Sequence, residues 1–175
     1  MKMDKVAGSK NDEYGTPIYA VEPILKYIKP NSTVWCPFDM ENSTFVRLLK
    51  EDGHRVVATH IDNGEDFFTL DIDCDYIISN PPYSLKTEVL ERLFELGKPF
   101  AMLVGVVGLF ESRRRFEMFR NNKFEIMYFN KSISYHGNCD YAKKTSVNPP
   151  FSSVYVCHGI LPKQIAFEEV AKCIH

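Results

Sequence analysis

The sequence lacks the features that mark disulfide-bonded, metal-binding and membrane proteins. Its five cysteines form no close pair and no zinc-type spacing, and an odd, scattered set is typical of a reduced intracellular protein. No apolar run is long enough to cross a bilayer, and the first residues do not form an apolar leader. The histidines suggest no metal cluster. We therefore expect a cytoplasmic protein with no membrane partner and no bound metal.

The sequence also lacks a strong net charge, since its 175 residues carry a formal charge of −2. The net charge therefore gives no indication of a nucleic-acid partner. The charge is nevertheless uneven, because residues 39–95 contain 13 acidic and 5 basic side chains, whereas residues 111–145 contain 4 acidic and 8 basic ones. This second segment is either a solvated helix surface or a surface that contacts phosphates.

The apolar periodicity predicts alternating strands and helices in one domain that spans residues 1–175. Strands separated by helices of about a dozen residues are typical of an α/β fold with a doubly wound, mostly parallel sheet. The last two predicted strands have no helix between them, so we expect one of them to be antiparallel. The predicted helices are 16–29, 43–50, 84–96 and 111–121, and the predicted strands are 33–36, 55–61, 76–79, 99–107, 124–130 and 151–158.

The first two helices have identifiable start and stop signals. Thr16 has the hydroxyl of an N-cap, and Pro17 fits a first turn. The second helix is expected to begin after Asn42 or Ser43 and to stop at Gly53. The inward face of the first helix is expected to contain Ile18, Val21, Leu25 and Ile28.

The most informative segment is the Asn-Pro-Pro-Tyr corner, residues 80–83, which follows a buried strand. Two consecutive prolines remove two backbone donors and fix two φ angles, and the first of them keeps Asn80 out of helical geometry. The corner is therefore stiff, and it lies at the carboxyl end of a strand, where open α/β sheets bind ligands. The alternative is an ordinary strand-to-turn corner, since Asn-Pro and Pro-Pro both mark turns.

The functional groups of this corner suit a planar amine. Asn80 Oδ1 and the Pro81 carbonyl can each accept a hydrogen bond from an exocyclic NH2 group, while Pro82 stiffens the turn and Tyr83 can stack on the attached ring. Two acceptors favour a pyramidal nitrogen and stabilise the positive charge that it gains during attack on an electrophile. No strong general base is needed, because the product nitrogen then loses its proton readily.

The Asn80–Tyr83 corner and its place in the chain resemble the Asn/Asp-Pro-Pro-Tyr signature of amino-group methyltransferases that use S-adenosylmethionine (AdoMet). The order of motifs is similar to that of small adenine-N6 DNA methyltransferases of phages and mobile elements. The resemblance implies a class I methyltransferase (Rossmann-like) sheet with a C-terminal antiparallel strand. It also implies AdoMet as cofactor, DNA as partner with RNA as a further possibility, and the host cytoplasm as location if a phage encodes the chain.

The resemblance implies cofactor-binding residues in three segments before the corner. Thr16 and Pro17 look like a motif beside the methionine end of AdoMet. Asp39 is a candidate for the cofactor's amino group. Asp62 is a candidate for the ribose hydroxyls, although Glu65 lies close in sequence. With Asn80, the implied cofactor-binding residues are Tyr14, Thr16, Pro17, Pro37, Phe38, Asp39, Asp62, Asp66 and Phe67, the last two as partners of the adenine amine and ring; core packing is the alternative for Phe67.

The loop after the first strand departs from the family pattern. Class I methyltransferases usually have a glycine-rich turn there, because the backbone approaches AdoMet closely. This chain has no glycine between Thr16 and Asp52, which leaves a non-catalytic methyltransferase fold that binds nucleic acid or protein as one alternative. Methylation of another amino acceptor, such as RNA adenine or protein glutamine, is the other.

The resemblance places target recognition after the corner, in a short insertion at residues 131–148. Tyr135 is the implied aromatic against an extruded base, together with Tyr83. The second Asn-Pro-Pro-Phe, residues 148–151, is interpreted as structural because it precedes an antiparallel strand. The basic side chains expected to contact DNA are Arg113, Arg114, Lys143 and Lys144.

Overall fold

A computed structural model describes residues 15–136, 146–147 and 151–171 of the chain. Tyr14, Lys143, Lys144 and most of the predicted target-recognition insertion lie outside these residues. The helices are α1 (Ile18–Leu25), α2 (Thr44–Glu51), α3 (Lys86–Leu96) and α4 (Arg113–Asn121). The strands are β1 (Thr33–Cys36), β2 (Arg55–Ala58), β3 (Tyr76–Ser79), β4 (Phe100–Gly105), β5 (Glu125–Phe129), β6 (Tyr135–His136), β7 (Ser146–Val147), β8 (Ser153–His158) and β9 (Ile165–Glu168).

Seven strands form one sheet in the order β2-β1-β3-β4-β8-β5-β9, and β6 pairs with β7 in a separate hairpin. Strand β8 is antiparallel to both of its neighbours, β4 and β5, while the other pairings in the large sheet are parallel. The predicted mostly parallel sheet with one antiparallel strand is confirmed. The antiparallel strand, β8, lies inside the sheet between β4 and β5. The final strand, β9, is not predicted from the sequence.

The helices cover the two faces of the sheet, and each face has its own apolar cluster. Strand β3 contributes to both clusters, because all four of its residues are buried and successive side chains point to opposite faces of the sheet. Ile78 packs in the cluster that contains α1 and α2, and Ile77 packs in the cluster that contains α3 and α4. The sheet is therefore buried on both sides, as parallel sheets require.

The prediction for the first helix is wrong in three details: its N-cap, its end and the inward position of Ile18. The N-cap position is Pro17, which provides no side-chain cap, and the helix ends at Leu25 rather than at residue 29. Ile18 is 43% exposed, whereas Ala20, Val21 and Ile24 are buried. The second helix begins as predicted, because the Ser43 side chain accepts a hydrogen bond from the Val46 amide.

The chain reverses its direction of progress across the sheet between β1 and β3. Strand β1 pairs with β2 on one side and with β3 on the other. Helix α2, after β1, packs on one face of the sheet, and helix α3, after β3, packs on the opposite face. The two connections therefore leave the sheet edge in opposite directions, and a space remains between them. A crevice at such a switch point is the usual ligand site of an open α/β sheet. None of the helices in the described part of the chain is long and apolar enough to span a membrane.

Candidate active site

The Asn-Pro-Pro-Tyr corner lies where the sequence predicts it, directly after β3. Ser79 ends the strand with no exposed surface, and Pro81 is also buried. Pro82 precedes a 3-10 turn, Tyr83–Leu85, which leads into α3 without a break. The corner is therefore held between a buried strand and a helix, and its polar groups have little freedom to move.

Asn80 has one satisfied and one unsatisfied side-chain group. Its Nδ2 donates a hydrogen bond to Thr16 Oγ1 at 3.2 Å. Its Oδ1 is buried and has no hydrogen-bond partner among the described residues. Leaving a buried acceptor unpaired costs about 1–3 kcal/mol, so such groups are uncommon in folded proteins unless a ligand or water completes them.

Thr16 has a different task from the predicted one. It is buried, and its hydroxyl accepts from Asn80 instead of capping α1. The segment before α1 therefore lies against the corner after β3, 64 residues away in the sequence. Thr16 orients the Asn80 amide, because a hydrogen bond to Nδ2 fixes which group remains for a ligand.

Asp39 lies buried at the end of β1 and is linked to the end of β3. Its carboxylate accepts a hydrogen bond from the Ser79 hydroxyl, and the Ser43 side chain lies close to it. Burial raises its pKa to about 6, and the two serines and the charge of His60 offset part of that rise. The carboxylate is thus a candidate partner for a positively charged ligand group, which would favour its ionised form.

The loop after β1 needs no glycine for its conformation. Among the described residues, Asn31 is the one non-glycine residue with a positive φ, at 57°, so residues 37–43 all have negative φ. The Ser43 amide donates to the Met40 carbonyl at 3.0 Å and closes the turn before α2. The absence of glycine therefore causes no backbone strain in this loop.

The acidic residues after β2 differ in what they already bind. Glu65 accepts from the His60 amide at 3.2 Å, and Asp66 Oδ1 accepts from the Phe68 amide at 3.0 Å. Asp62 lies on the 3-10 turn Ile61–Asn63 with its side chain 68% exposed. Of the two ribose candidates, Asp62 therefore has the more accessible carboxylate, while Glu65 is used within its own loop.

Phe67 lies in the core, which corrects its prediction as a packing surface for adenine. Its side chain has no exposed surface. The ring contacts Trp35, Phe38 and Phe68 at centroid distances of 5.5, 5.0 and 5.3 Å. Because Phe38 and Phe68 are partly exposed, they provide the accessible aromatic surface here, and Phe67 supports both.

Tyr135 is also buried, so its prediction as a stacking surface for a base is wrong for this structure. Its hydroxyl is 2.7 Å from Ser153 Oγ, and the Tyr83 side chain lies beside it. Burial raises the pKa of the Tyr135 hydroxyl, and the neighbouring Ser153 and Tyr83 side chains offset part of that rise. Tyr135 therefore supports Tyr83 from the core.

Phe151 is an aromatic neighbour of Tyr83 that sequence reasoning missed. The two rings lie 5.3 Å apart and nearly perpendicular, at 74°. A Cβ atom on Gly105 would approach the Phe151 ring to 2.9 Å, so the ring depends on glycine at that position. The pairing of Gly105 with Ser153 puts Phe151 just beyond the carboxyl end of β4, and an antiparallel alignment of these two strands in the sequence would have indicated it.

The arginines at the start of α4 are arranged differently from the prediction. Arg114 donates to both carboxylate oxygens of Glu91 and to Glu88 Oε1 on α3. Its side chain is 54% exposed, but its guanidinium already faces two carboxylates, so it has less unpaired charge to offer a phosphate than Arg113. Arg113 is 91% exposed and pairs only loosely with Glu117, at 3.3 Å.

Comparisons with known proteins find similarity to methyltransferases. The chain is 25% identical over 194 aligned residues to the type II methyltransferase M.MgeORF184P of Mycoplasma genitalium, an alignment that covers 90% of the chain and 60% of that protein. Its fold is similar to that of a modification subunit of a putative type I restriction enzyme from Vibrio vulnificus YJ016, with a TM-score of 0.54 and 12% identity over 87% of this chain and 46% of that one. The fold is that of the class I methyltransferases.

The predicted resemblance to methyltransferases is confirmed. No protein-family model matches the sequence. The chain spans about three fifths of the length of the curated relative that it matches.

Proposed function

We propose that this chain transfers a methyl group from AdoMet to the exocyclic N6 of adenine in DNA. The observation that carries the proposal is the buried, unpaired Asn80 Oδ1 at the carboxyl end of β3. The similarity to a type II methyltransferase supports a methyl-transfer reaction. A corner with this acceptor suits an amine that donates hydrogen bonds, as the N6 group of adenine does.

The residues at the switch point fit the cofactor. Asp39 is a buried carboxylate that an ammonium group would stabilise, and Asp62 is an accessible carboxylate for ribose hydroxyls. Phe38 and Phe68 offer partly exposed rings to the adenine. When bound, AdoMet supplies an electrophilic methyl group on its sulfonium. We also propose cofactor contacts for Tyr14, Thr16, Pro17, Pro37 and Asp66, with Phe67 acting from the core; Asn80 lies beside the cofactor, but its main proposed role is towards the target amine.

The corner's own groups act on the target amine. Asn80 Oδ1 and the Pro81 carbonyl would accept its two hydrogens, which directs the nitrogen lone pair towards the methyl donor. The same acceptors stabilise the positive charge that develops on the nitrogen. Thr16 keeps the Asn80 amide in the required orientation, and Pro81 and Pro82 keep the backbone from adjusting to other ligands.

The aromatic residues beside the corner would hold the target base. A base in duplex DNA must leave the stack, which costs a few kcal/mol. Stacking on Tyr83 would offset about 1–3 kcal/mol of that cost, and the Phe151 ring packs against Tyr83 from the side. Arg113, Lys143 and Lys144 remain the proposed contacts to phosphate.

The test is transfer of a radiolabelled methyl group from AdoMet to mixed DNA and RNA, followed by identification of the labelled base. The proposal predicts label on DNA as N6-methyladenine. Label on RNA alone would keep the mechanism and replace the substrate. Absence of AdoMet binding in a calorimetric titration would contradict the proposed reaction and favour a non-catalytic binding module.

A further inference from the structure

The outer edge of β9 has main-chain groups with no partner among the described residues. β9 is the last strand of the sheet, next to β5. The amides of Ile126 and Asn130 donate to the carbonyls of Gln164 and Glu168. Because successive residues of a strand direct their main-chain groups to opposite sides, Ile165 and Phe167 direct theirs to the open edge.

This edge is also apolar and lacks charged side chains at its centre. Ile165 is 49% exposed and Phe167 is 80% exposed, and they lie two positions apart on one face of the sheet. Phe167 stacks on Tyr128 of β5 at 6.0 Å, which widens the apolar surface inward. Natural edge strands usually carry a lysine, a proline or a bulge at such a position.

The sequence around β9 is complementary to itself when two copies run antiparallel about Ala166. In that register Ile165 of one copy lies opposite Phe167 of the other, so the residues with outward main-chain groups face each other, as hydrogen-bonded pairs require. The exposed Lys163 then lies opposite the exposed Glu169. The symmetry forms this pair of opposite charges twice.

We propose that β9 is a dimerisation edge, which pairs antiparallel with β9 of a second copy of this chain about a two-fold axis at Ala166. The two sheets become one continuous sheet, and the apolar pair Ile165–Phe167 is covered on both sides of the axis. An isologous contact of this kind closes on itself and leaves no further edge at that end. The proposal does not depend on the proposed reaction.

The dimer leaves the candidate active site open. In the strand order, β4, β8 and β5 separate β3 from β9, so the Asn80 corner lies well away from the paired edge. Substitutions in β9 therefore test dimerisation without touching the residues assigned to methyl transfer or to cofactor binding.

The test is analytical ultracentrifugation of the full chain over a concentration series. We expect a reversible increase from the 20.2 kDa monomer to twice that mass, and Phe167→Asp should shift the association midpoint at least about tenfold, because it places two charges in the paired edge. A wild-type chain that stays monomeric throughout, or a dimer that Phe167→Asp leaves intact, would overturn the proposal.

A charge exchange tests the register itself and keeps the proposal testable if Phe167→Asp fails to fold. Lys163→Glu and Glu169→Lys should each weaken association about tenfold, because like charges then oppose each other twice, and the double exchange should restore it. Circular dichroism checks that each variant is folded. Failure of the double exchange to restore association would contradict the Ala166-centred register.

Discussion

The sequence predicts two functional regions, the Asn-Pro-Pro-Tyr corner and the arginine-rich start of α4. The two regions differ in whether their polar side chains have partners within the fold. Asn80 is held by Thr16 but keeps a buried acceptor without a partner. Arg114 has its guanidinium bound by Glu88 and Glu91. The first region has a buried polar group without a partner, whereas the second has a surface charge that two carboxylates already neutralise.

We infer from this difference that the hydrogen-bond state of a polar group, and not residue type alone, indicates whether it is available to a ligand. A buried acceptor that the fold leaves unpaired lowers the stability of the protein. A ligand that donates a hydrogen bond to this acceptor removes that penalty, and the removal adds to the binding free energy. A guanidinium with two carboxylate neighbours has its charge largely neutralised, so it gains less from contact with a phosphate.

Replacing Asn80 should have the largest effect. We expect Asn80→Ala to lower kcat about 100- to 1000-fold, the usual loss for one stabilising group in a transition state, while the AdoMet affinity measured by calorimetry stays within about threefold. Asn80→Asp is the matched control, because it keeps an acceptor oxygen at the same position, and it should retain more turnover. Loss of AdoMet binding together with turnover would contradict the role given to Asn80.

The pH dependence of stability should reveal the buried Asp39. The pKa of an unfolded aspartate is lower than the value of about 6 in the fold, so the folded state binds the proton more tightly. Its contribution to the free energy of unfolding is therefore greatest below about pH 4 and is lost as the pH rises through 6, by roughly 3 kcal/mol. Urea unfolding of the wild type and Asp39→Asn should show that difference, and parallel curves from pH 4 to pH 7 would contradict it.

A methyl group at position 105 should disturb the aromatic pair beside the corner. Gly105→Ala would place Cβ 2.9 Å from the Phe151 ring, and overpacking of this kind costs about 1–3 kcal/mol. We expect KM for DNA to rise, because Phe151 would be displaced against Tyr83. The double variant with Phe151→Leu, which removes the clashing ring, should recover stability, and no recovery would mean that the contact is not the cause.

Removing Arg114 should have the smallest effect on DNA binding. Arg114→Ala should lower the free energy of unfolding by up to about 1 kcal/mol, since its ion pairs are partly exposed. DNA affinity and its salt dependence should hardly change. Arg113→Ala is the comparison, and it should reduce the slope of log K against log salt by about 1. A larger loss of DNA affinity for Arg114→Ala than for Arg113→Ala would reverse the comparison drawn between the two regions.

The features that local patterns control were predictable from the sequence. Strands β1 and β3 occur with the predicted bounds, because short apolar runs are closed there by Pro37 and by the Asn80 corner. Strand β9 was missed because it has four residues, follows a polar turn and gains its regular structure from pairing with β5. Local propensity does not contain that partner.

The misassigned side chains depend on contacts between distant segments. Tyr135 lies in a polar stretch, and its burial follows from Ser153 and the strands around it. The acids that bind Arg114 are 23 and 26 residues away on another helix, so a count of charge along the chain shows a basic segment and cannot show its pairing. Thr16, the hydrogen-bond partner of Asn80, is 64 residues away, so this contact could not be predicted from the sequence either.

The most direct test of the unpaired acceptor is a crystal structure of the chain with a non-reactive AdoMet analogue and a DNA that contains adenine. The account predicts that the adenine N6 donates to Asn80 Oδ1 at about 2.7–3.2 Å, with Tyr83 against the base. A bound adenine whose amine lies elsewhere, with Asn80 Oδ1 still unpaired, would contradict the central claim.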